Sequence, residues 1–219
     1  MRAIKIKPSK LDVFKDYYDN LITTEQCIEK LLETPTQSDK MRFGIDFERA
    51  IFGKEFHNDS ISPEWVLFAR DLIQRQTGLP YHRFITDIVF HTSADIHGER
   101  FYFSGILDYG IGLFGGEIKT TALDYWSRQT LDGEDHVTNA LQRFSSSLQG
   151  KLYLLYSGIE LLHYNIFIFD KERTNLKDYK TFAMFRSEVN VREIEEILTE
   201  FSKFITKNNL EQHFIIEKG

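Results

Sequence analysis

FSGILDYGIGLFGGEIKTT, residues 103–121, is the stretch on which the fold turns. Its β-branched and aromatic residues predict two short strands, and glycines at 110, 112, 115 and 116 predict tight turning between them. Alternate side chains of a strand share a face, so Glu117 and Lys119 point the same way, about 7 Å apart at Cα, and Ile118 points to the opposite, buried side. Asp108 shares a face with Ile106 and Gly110, and a hairpin brings it beside Glu117. Two neighbouring carboxylates repel unless a proton or a cation sits between them. A hard divalent ion relieves that repulsion and keeps waters in its shell. A water polarised in this way is a nucleophile for a phosphodiester, and Lys119 is placed to orient it, take its proton or stabilise charge on the phosphate. The same residues also describe a solvated sheet face with a cross-strand ion pair.

Upstream, the first 80 residues read as helical. PSKLDVFKDYYDN starts on Pro8-Ser9 and puts Leu11, Phe14, Tyr17 and Tyr18 on one side. TTEQCIEKLLE carries Thr24 as a cap and Ile28, Leu31 and Leu32 on one face. RFGIDFERAIFGKEF spaces Phe43, Phe47, Ala50, Ile51 and Lys54 helically, and SPEWVLFARDLIQRQTG opens with a Ser62-Pro63 cap and closes on Gly78. RFITDIVFHT then begins the strands. Downstream, one long helix is expected over about His136 to Ser157, striped by Leu141, Phe144, Leu148, Leu152 and Leu155. ELLHYNIFIFD and KTFAMFRSEV read as two further strands, and VREIEEILTEFSKFITKN as an amphipathic helix. The order predicts an α/β fold, a mixed central sheet with helices on its faces.

The chain has 219 residues, and no linker or repeat divides it. The expectation is a single domain over 1–219, with a helical part from about 8 to 78 and a catalytic sheet with helices from about 80 to 219. Hydrophobic content of 42%, with 19 Phe and 10 Tyr, suffices for a well-filled core. A net charge of −6 argues against coating nucleic acid by bulk charge but leaves room for a locally positive cleft. One cysteine, Cys27, excludes an intrachain disulfide and a thiolate zinc site, and it sits on a helix face expected to be core. His57, His91 and His97 fall in no zinc-binding spacing. No apolar run is long enough for a membrane span, and MRAIKIKPSK lacks an apolar signal core, so a cytosolic location is expected.

Asp108, eight intervening residues and Glu117-Ile118-Lys119 resemble the signature of the PD-(D/E)XK nuclease superfamily, with Leu107-Asp108 in place of the Pro-Asp element. The wording GILDYG…GGEIKTT is most similar to the branch of RecB-type nucleases and lambda-type exonucleases. FGIDFERAI resembles that family's helical glycine-then-glutamate motif, with Glu48 as third carboxylate, and QGKLYLLY resembles its Gln-x-x-x-Tyr motif, through Gln149 and Tyr153. KPSKL resembles the Ser-x-Leu start of such domains. The resemblance runs from about Pro8 to Tyr156 and implies the restriction-endonuclease-like fold. It also implies Mg²⁺, replaceable by Mn²⁺, held by Asp108, Glu117, the Ile118 carbonyl and Glu48. Lys119 is then the catalytic lysine, and Gln149, Tyr153 and Thr120 face the nucleic acid. Read from the residues alone, Glu48 is also open to a reading as a flank carboxylate pairing with Lys or Arg, and Gln149–Tyr153 as a boundary pair, while Arg128, with Tyr125 and Trp126 in LDYWSRQ, either stacks on bases and grips phosphate or belongs to an aromatic cover on the sheet edge.

The expectation is a metal-dependent DNA nuclease, in its preferred version an exonuclease of recombination or repair, with a phage origin compatible. The alternatives are a restriction-type endonuclease and a catalytically silent nucleic-acid- or protein-binding domain on the same fold. DNA is the expected partner, and a ring, a dimer and a monomer are all compatible.

Overall fold

The structure is a computed structural model and describes residues 2–34, 38–122 and 136–216, with the backbone alone over 136–140. Four helices lie in the first 80 residues, where the apolar spacing places them, except that α3 stops before Lys54: α1 (Pro8–Tyr18), α2 (Thr24–Leu32), α3 (Asp39–Ile51) and α4 (Pro63–Thr77). Local chemistry sets their ends. The cap of α2 is Thr23 rather than Thr24: its hydroxyl accepts from the Gln26 N–H while the Gln26 side chain accepts from the Thr23 N–H, a closed capping box. α4 begins at the Ser62 cap with Pro63 behind it and ends on Gly78 at φ +71°, a left-handed conformation that costs glycine little.

Six strands form one mixed sheet: β1 (Arg2–Ile6), β2 (Ile85–Ile96), β3 (Glu99–Ile111), β4 (Phe114–Ala122), β5 (Leu161–Phe169) and β6 (Leu176–Phe185). Five match expected runs, and β1 is additional. β2 runs antiparallel along one edge of β3, from Ile85 opposite Gly110 to Ile96 opposite Glu99. The other edge of β3 is shared. β1 lies parallel against Glu99–Phe103, and β4 lies antiparallel against Tyr109–Ile111 alone. Between them β3 has an edge segment with no strand beside it among the described residues, and Asp108 lies at its end. β5 then adds parallel to β4, and β6 antiparallel to β5.

Helices cover both faces. Phe43 and Phe47 of α3 and Ala69 and Ile73 of α4 pack on Tyr109, Ile118, Phe167 and Phe169. On the other side lie α5 (His136–Ser146), α6 (Leu148–Tyr156) and α7 (Val191–Lys207), followed by the short α8 (Glu211–Phe214). Phe14 of α1, Leu152 of α6 and Leu198 and Phe201 of α7 close over Ile4, Phe101 and Phe103, with Cys27 of α2 buried in the same cluster. Each such fully buried side chain contributes roughly 1.5–3 kcal/mol. No helix among the described residues is long and apolar enough to cross a membrane.

The long helix expected over 136–157 is two helices. Ser147 breaks it: its hydroxyl accepts from the Gln149 N–H and donates to Asp12 of α1, at 2.8 Å, while Asp12 also accepts the Leu148 N–H at 2.6 Å. A carboxylate from a distant helix thus caps the start of α6, a tertiary event that no local periodicity announces. Burial pushes the Asp12 carboxyl up to about 6, against the pull of those hydrogen bonds.

The β3–β4 pairing depends on Gly116. A Cβ there would stand 2.0 Å from the Tyr109 ring, which lies across it and whose hydroxyl accepts a 2.7 Å hydrogen bond from the Asn165 amide. Gly116→Ala therefore displaces a buried aromatic and is expected to destabilise the fold by about 1–3 kcal/mol, read as a lower thermal midpoint. An unchanged midpoint would mean that the ring moves aside freely.

Candidate active site

β3 and β4 separate immediately beyond the Tyr109–Gly116 pair. The next residues in register are Asp108 and Glu117, and here side-chain chemistry replaces the backbone ladder: Asp108 Oδ2 accepts the Ile118 N–H at 2.6 Å. In an extended strand a residue's N–H and C=O leave on the same edge. The Ile118 carbonyl therefore faces the same gap. Glu117 is fully buried. Its Oε2 pairs with Lys119 Nζ, two residues along the strand as the alternation requires, and its Oε1 is buried without a hydrogen-bond partner among the described residues.

Glu48, on α3, lies within electrostatic range of Asp108 and Lys119. The helix lies close on β4 because position 44 is glycine: a Cβ there would come within 2.8 Å of Thr120 Oγ1. One turn beyond, Glu48 is half-buried, and its carboxyl is pushed up to about 8 by burial and then by the charges of Asp108 and Asp87. Burial and Asp108 also push Glu117 up to about 8. Asp108 is raised by burial even though Lys119 and the Ile118 N–H pull it down. Burial opposes charge on Lys119, but Glu117 and Asp108 outweigh it and hold the ammonium well above its ordinary value. Three carboxyls thus share one field with Lys119 and, for Glu48 and Asp108, with Lys54 as well, and burial and mutual repulsion still hold all three above the ordinary carboxylate range.

Tyr153 and Gln149, i and i+4 on α6, reach the open edge of β3. Gln149 Nε2 donates to the Tyr153 hydroxyl at 2.6 Å, and that hydroxyl donates to the Ile106 carbonyl at 3.1 Å, two residues before Asp108. Burial, and after it Glu117, raises the Tyr153 phenol, so it stays a neutral donor. Thr120 lies on the face of β4 that meets α3, against Gly44. Arg128 and the LDYWSRQ segment lie outside the described residues.

Two neighbours of the cluster escape sequence reasoning. Asp87 sits in β2 at the register position facing Asp108, between the pairs Thr86–Tyr109 and Ile88–Leu107. It has a left-handed φ of +52°, and its carboxylate pairs with Lys54, which follows the left-handed Gly53 at the end of α3. The available signal was an aspartate inside a β-branched run, a residue type that strands avoid and that tolerates positive φ.

Among the described residues no group of three or more His, Cys, Asp or Glu side chains is placed to hold a metal ion as the side chains stand. The donor chemistry nevertheless fits a hard cation. It offers an orphaned, buried carboxylate oxygen on Glu117, the adjoining Asp108 carboxylate and a backbone carbonyl on the same gap, with the half-buried Glu48 in the same electrostatic field.

No protein-family model matches the sequence, and no characterised protein matches it at a significant level. Among solved structures the chain is similar to a phage related exonuclease from Haemophilus somnus 129PT, at 12% identity and TM-score 0.49 over 95% of this chain and 96% of that one. It is also similar to LHK-Exo in complex with dAMP, at 18% identity and TM-score 0.44 over 95% and 92% of the two chains. A second structure of LHK-Exo, described as an alkaline exonuclease from Laribacter hongkongensis, aligns at 15% identity and TM-score 0.38 over 94% and 89%. With identities this low, function has to be argued from the side chains.

Proposed function

We propose that the protein is a metal-dependent nuclease of PD-(D/E)XK type that hydrolyses DNA phosphodiester bonds, as an exonuclease serving recombination or repair. The observation that carries the reading is the buried Glu117 carboxylate, one oxygen paired with Lys119 and the other unpartnered, beside Asp108 at the point where two strands part. A structural ion pair needs no second buried carboxylate and no orphaned oxygen, and leaving one unsatisfied costs about 1–3 kcal/mol.

Asp108, Glu117 and the Ile118 carbonyl would hold Mg²⁺ or Mn²⁺, with Glu48 ligating directly or through water. The ion, when bound, supplies a Lewis acid for the phosphate and an acidic bound water. The chain's residues do the rest. Lys119, held charged beside Glu117, stabilises negative charge on the phosphoryl oxygens and, as its pairing with Glu117 loosens, can give a proton to the leaving oxygen. Tyr153, fixed by Gln149 and Ile106, presents a neutral hydroxyl at the same edge.

The test is linear end-labelled DNA incubated with the purified protein in Mg²⁺, Mn²⁺ or EDTA. The expected result is release of mononucleotides or short oligonucleotides with either ion and none with EDTA. Binding of DNA without cleavage in either ion would instead identify a silent domain on this fold, and internal cuts on closed circles would identify an endonuclease.

A further inference from the structure

Register along one face of the β2–β3 ribbon sets rows of side chains that lead toward Asp108. Lys5, Tyr102 and Ser93 form the first row across β1, β3 and β2; Ser104 and His91 form the second; Ile106 and Val89 the third; Asp108 and Asp87 the last. Two features mark this face as more than ordinary surface. Val89 and Ile106 are 58% and 52% exposed in the middle of a ribbon, where large apolar side chains usually pack. Beyond them Lys5, His91, Ser93, Tyr102 and Ser104, with Ile216, line a groove of about 380 Å³. The next row is closed by Arg100, tied up in two hydrogen bonds to Asp95.

We propose that this groove is a second nucleic-acid subsite, holding the sugar-phosphate backbone of a DNA strand whose scissile bond lies at Asp108. This rests on the nuclease reading for the identity of the ligand. The chemistry matches a polyanion that carries apolar surface: an ammonium, an imidazole and three hydroxyls for phosphate oxygens, then two aliphatic side chains under sugars or bases before the carboxylates are reached. Charge is complementary only locally. In a chain of net charge −6, exposed Lys5 stands in line with the acidic gap at its far end, so a phosphate chain is drawn to the groove end and a cation to the other. Six residues of β3 separate Tyr102 from Asp108, roughly 20 Å at ~3.3 Å per residue. A strand laid along that line spans it in several nucleotides, so the subsite engages only substrates that extend beyond the few nucleotides held at the bond being cut.

Lys5→Ala and Lys5→Glu test this by equilibrium binding of fluorescent 4-mer and 12-mer DNA over a salt series, with hydrolysis of the same substrates in parallel. Lys5→Ala should weaken 12-mer binding ~3- to 10-fold and reduce the salt slope by about one, Lys5→Glu should weaken it further, and neither should alter the 4-mer. In hydrolysis, KM for the 12-mer should rise with kcat unchanged, at an unaltered thermal midpoint. Equal losses on both lengths, or no loss on the 12-mer, overturn the subsite. So does a changed oligomeric state with unchanged DNA affinity, which would give the face to a second copy of the chain. Length-dependent binding by a wild-type protein that cleaves nothing supports the subsite and removes the catalytic reading.

Discussion

Asp108→Asn should reduce Mg²⁺-dependent hydrolysis of DNA by about 10³-fold or more while making the metal-free protein more stable at pH 8. The two effects pull apart because the substitution changes charge and little else. An asparagine oxygen still accepts the Ile118 N–H, so the bridge that ties β3 to β4 beyond Gly116 survives. The Glu117–Lys119 pair is untouched. What disappears is the negative charge that helps to push both Glu48 and Glu117 upward, so the unfavourable field relaxes. With it goes a ligand for the proposed cation, and 10³-fold corresponds to about 4 kcal/mol of transition-state stabilisation. A neutral or destabilising effect at pH 8, measured in EDTA, would mean that Asp108 is held there for structure. Activity within tenfold of wild type would remove it from the site.

That separation explains how much of the site was legible in the sequence. Asp108, Glu117 and Lys119 were legible because strand alternation is a rule of period two, and the glycines at 115 and 116 set the register that brings Asp108 opposite Glu117. Glu48 was named only through the resemblance, and the structure adds the physical reason for the glycine before it: Gly44 lets the helix lie close on the sheet. Asp87 and Lys54 were not. Their meeting depends on two left-handed residues, Gly53 and Asp87, which redirect a helix end and a strand centre toward one another. β1 escaped because its partner is parallel and some hundred residues away, so no hairpin signal accompanies its five residues. The break at Ser147 escaped for a related reason: the apolar stripe continues through it, and only Asp12, far off in the chain, selects two helices over one. Local patterns foretell what local forces determine, and the fold's long-range choices were made by single polar contacts.

The stability of the metal-free protein should fall as pH rises from about 4.5 to about 8, and Mg²⁺ should reverse the fall. Glu117 has its folded pKa raised to about 8 from an ordinary 4.5. Below 4.5 both folded and unfolded chains carry the proton, and nothing is lost. Between the two values the unfolded chain releases it while the folded chain retains it, so each pH unit favours unfolding. Above 8 both are ionised and the loss is complete. Taken at face value the shift is worth at most about 5 kcal/mol for this one fully buried group, on the order of 10 °C in midpoint for a chain of this size. Glu48 and Asp12 are shifted in the same direction and add to the slope. Lys119, raised rather than lowered, keeps its charge throughout the window and contributes no slope of its own. A divalent cation binds only the ionised carboxylates, so its stabilisation grows as proton competition fades, by about 1.4 kcal/mol for each tenfold excess over its Kd. Thermal unfolding from pH 5 to 9, in EDTA and in Mg²⁺, should therefore give two curves that coincide at acid pH and diverge toward pH 8. Parallel curves, or no effect of Mg²⁺ at pH 8, would mean that Glu117 and Asp108 hold no cation and that their repulsion is relieved by protons alone.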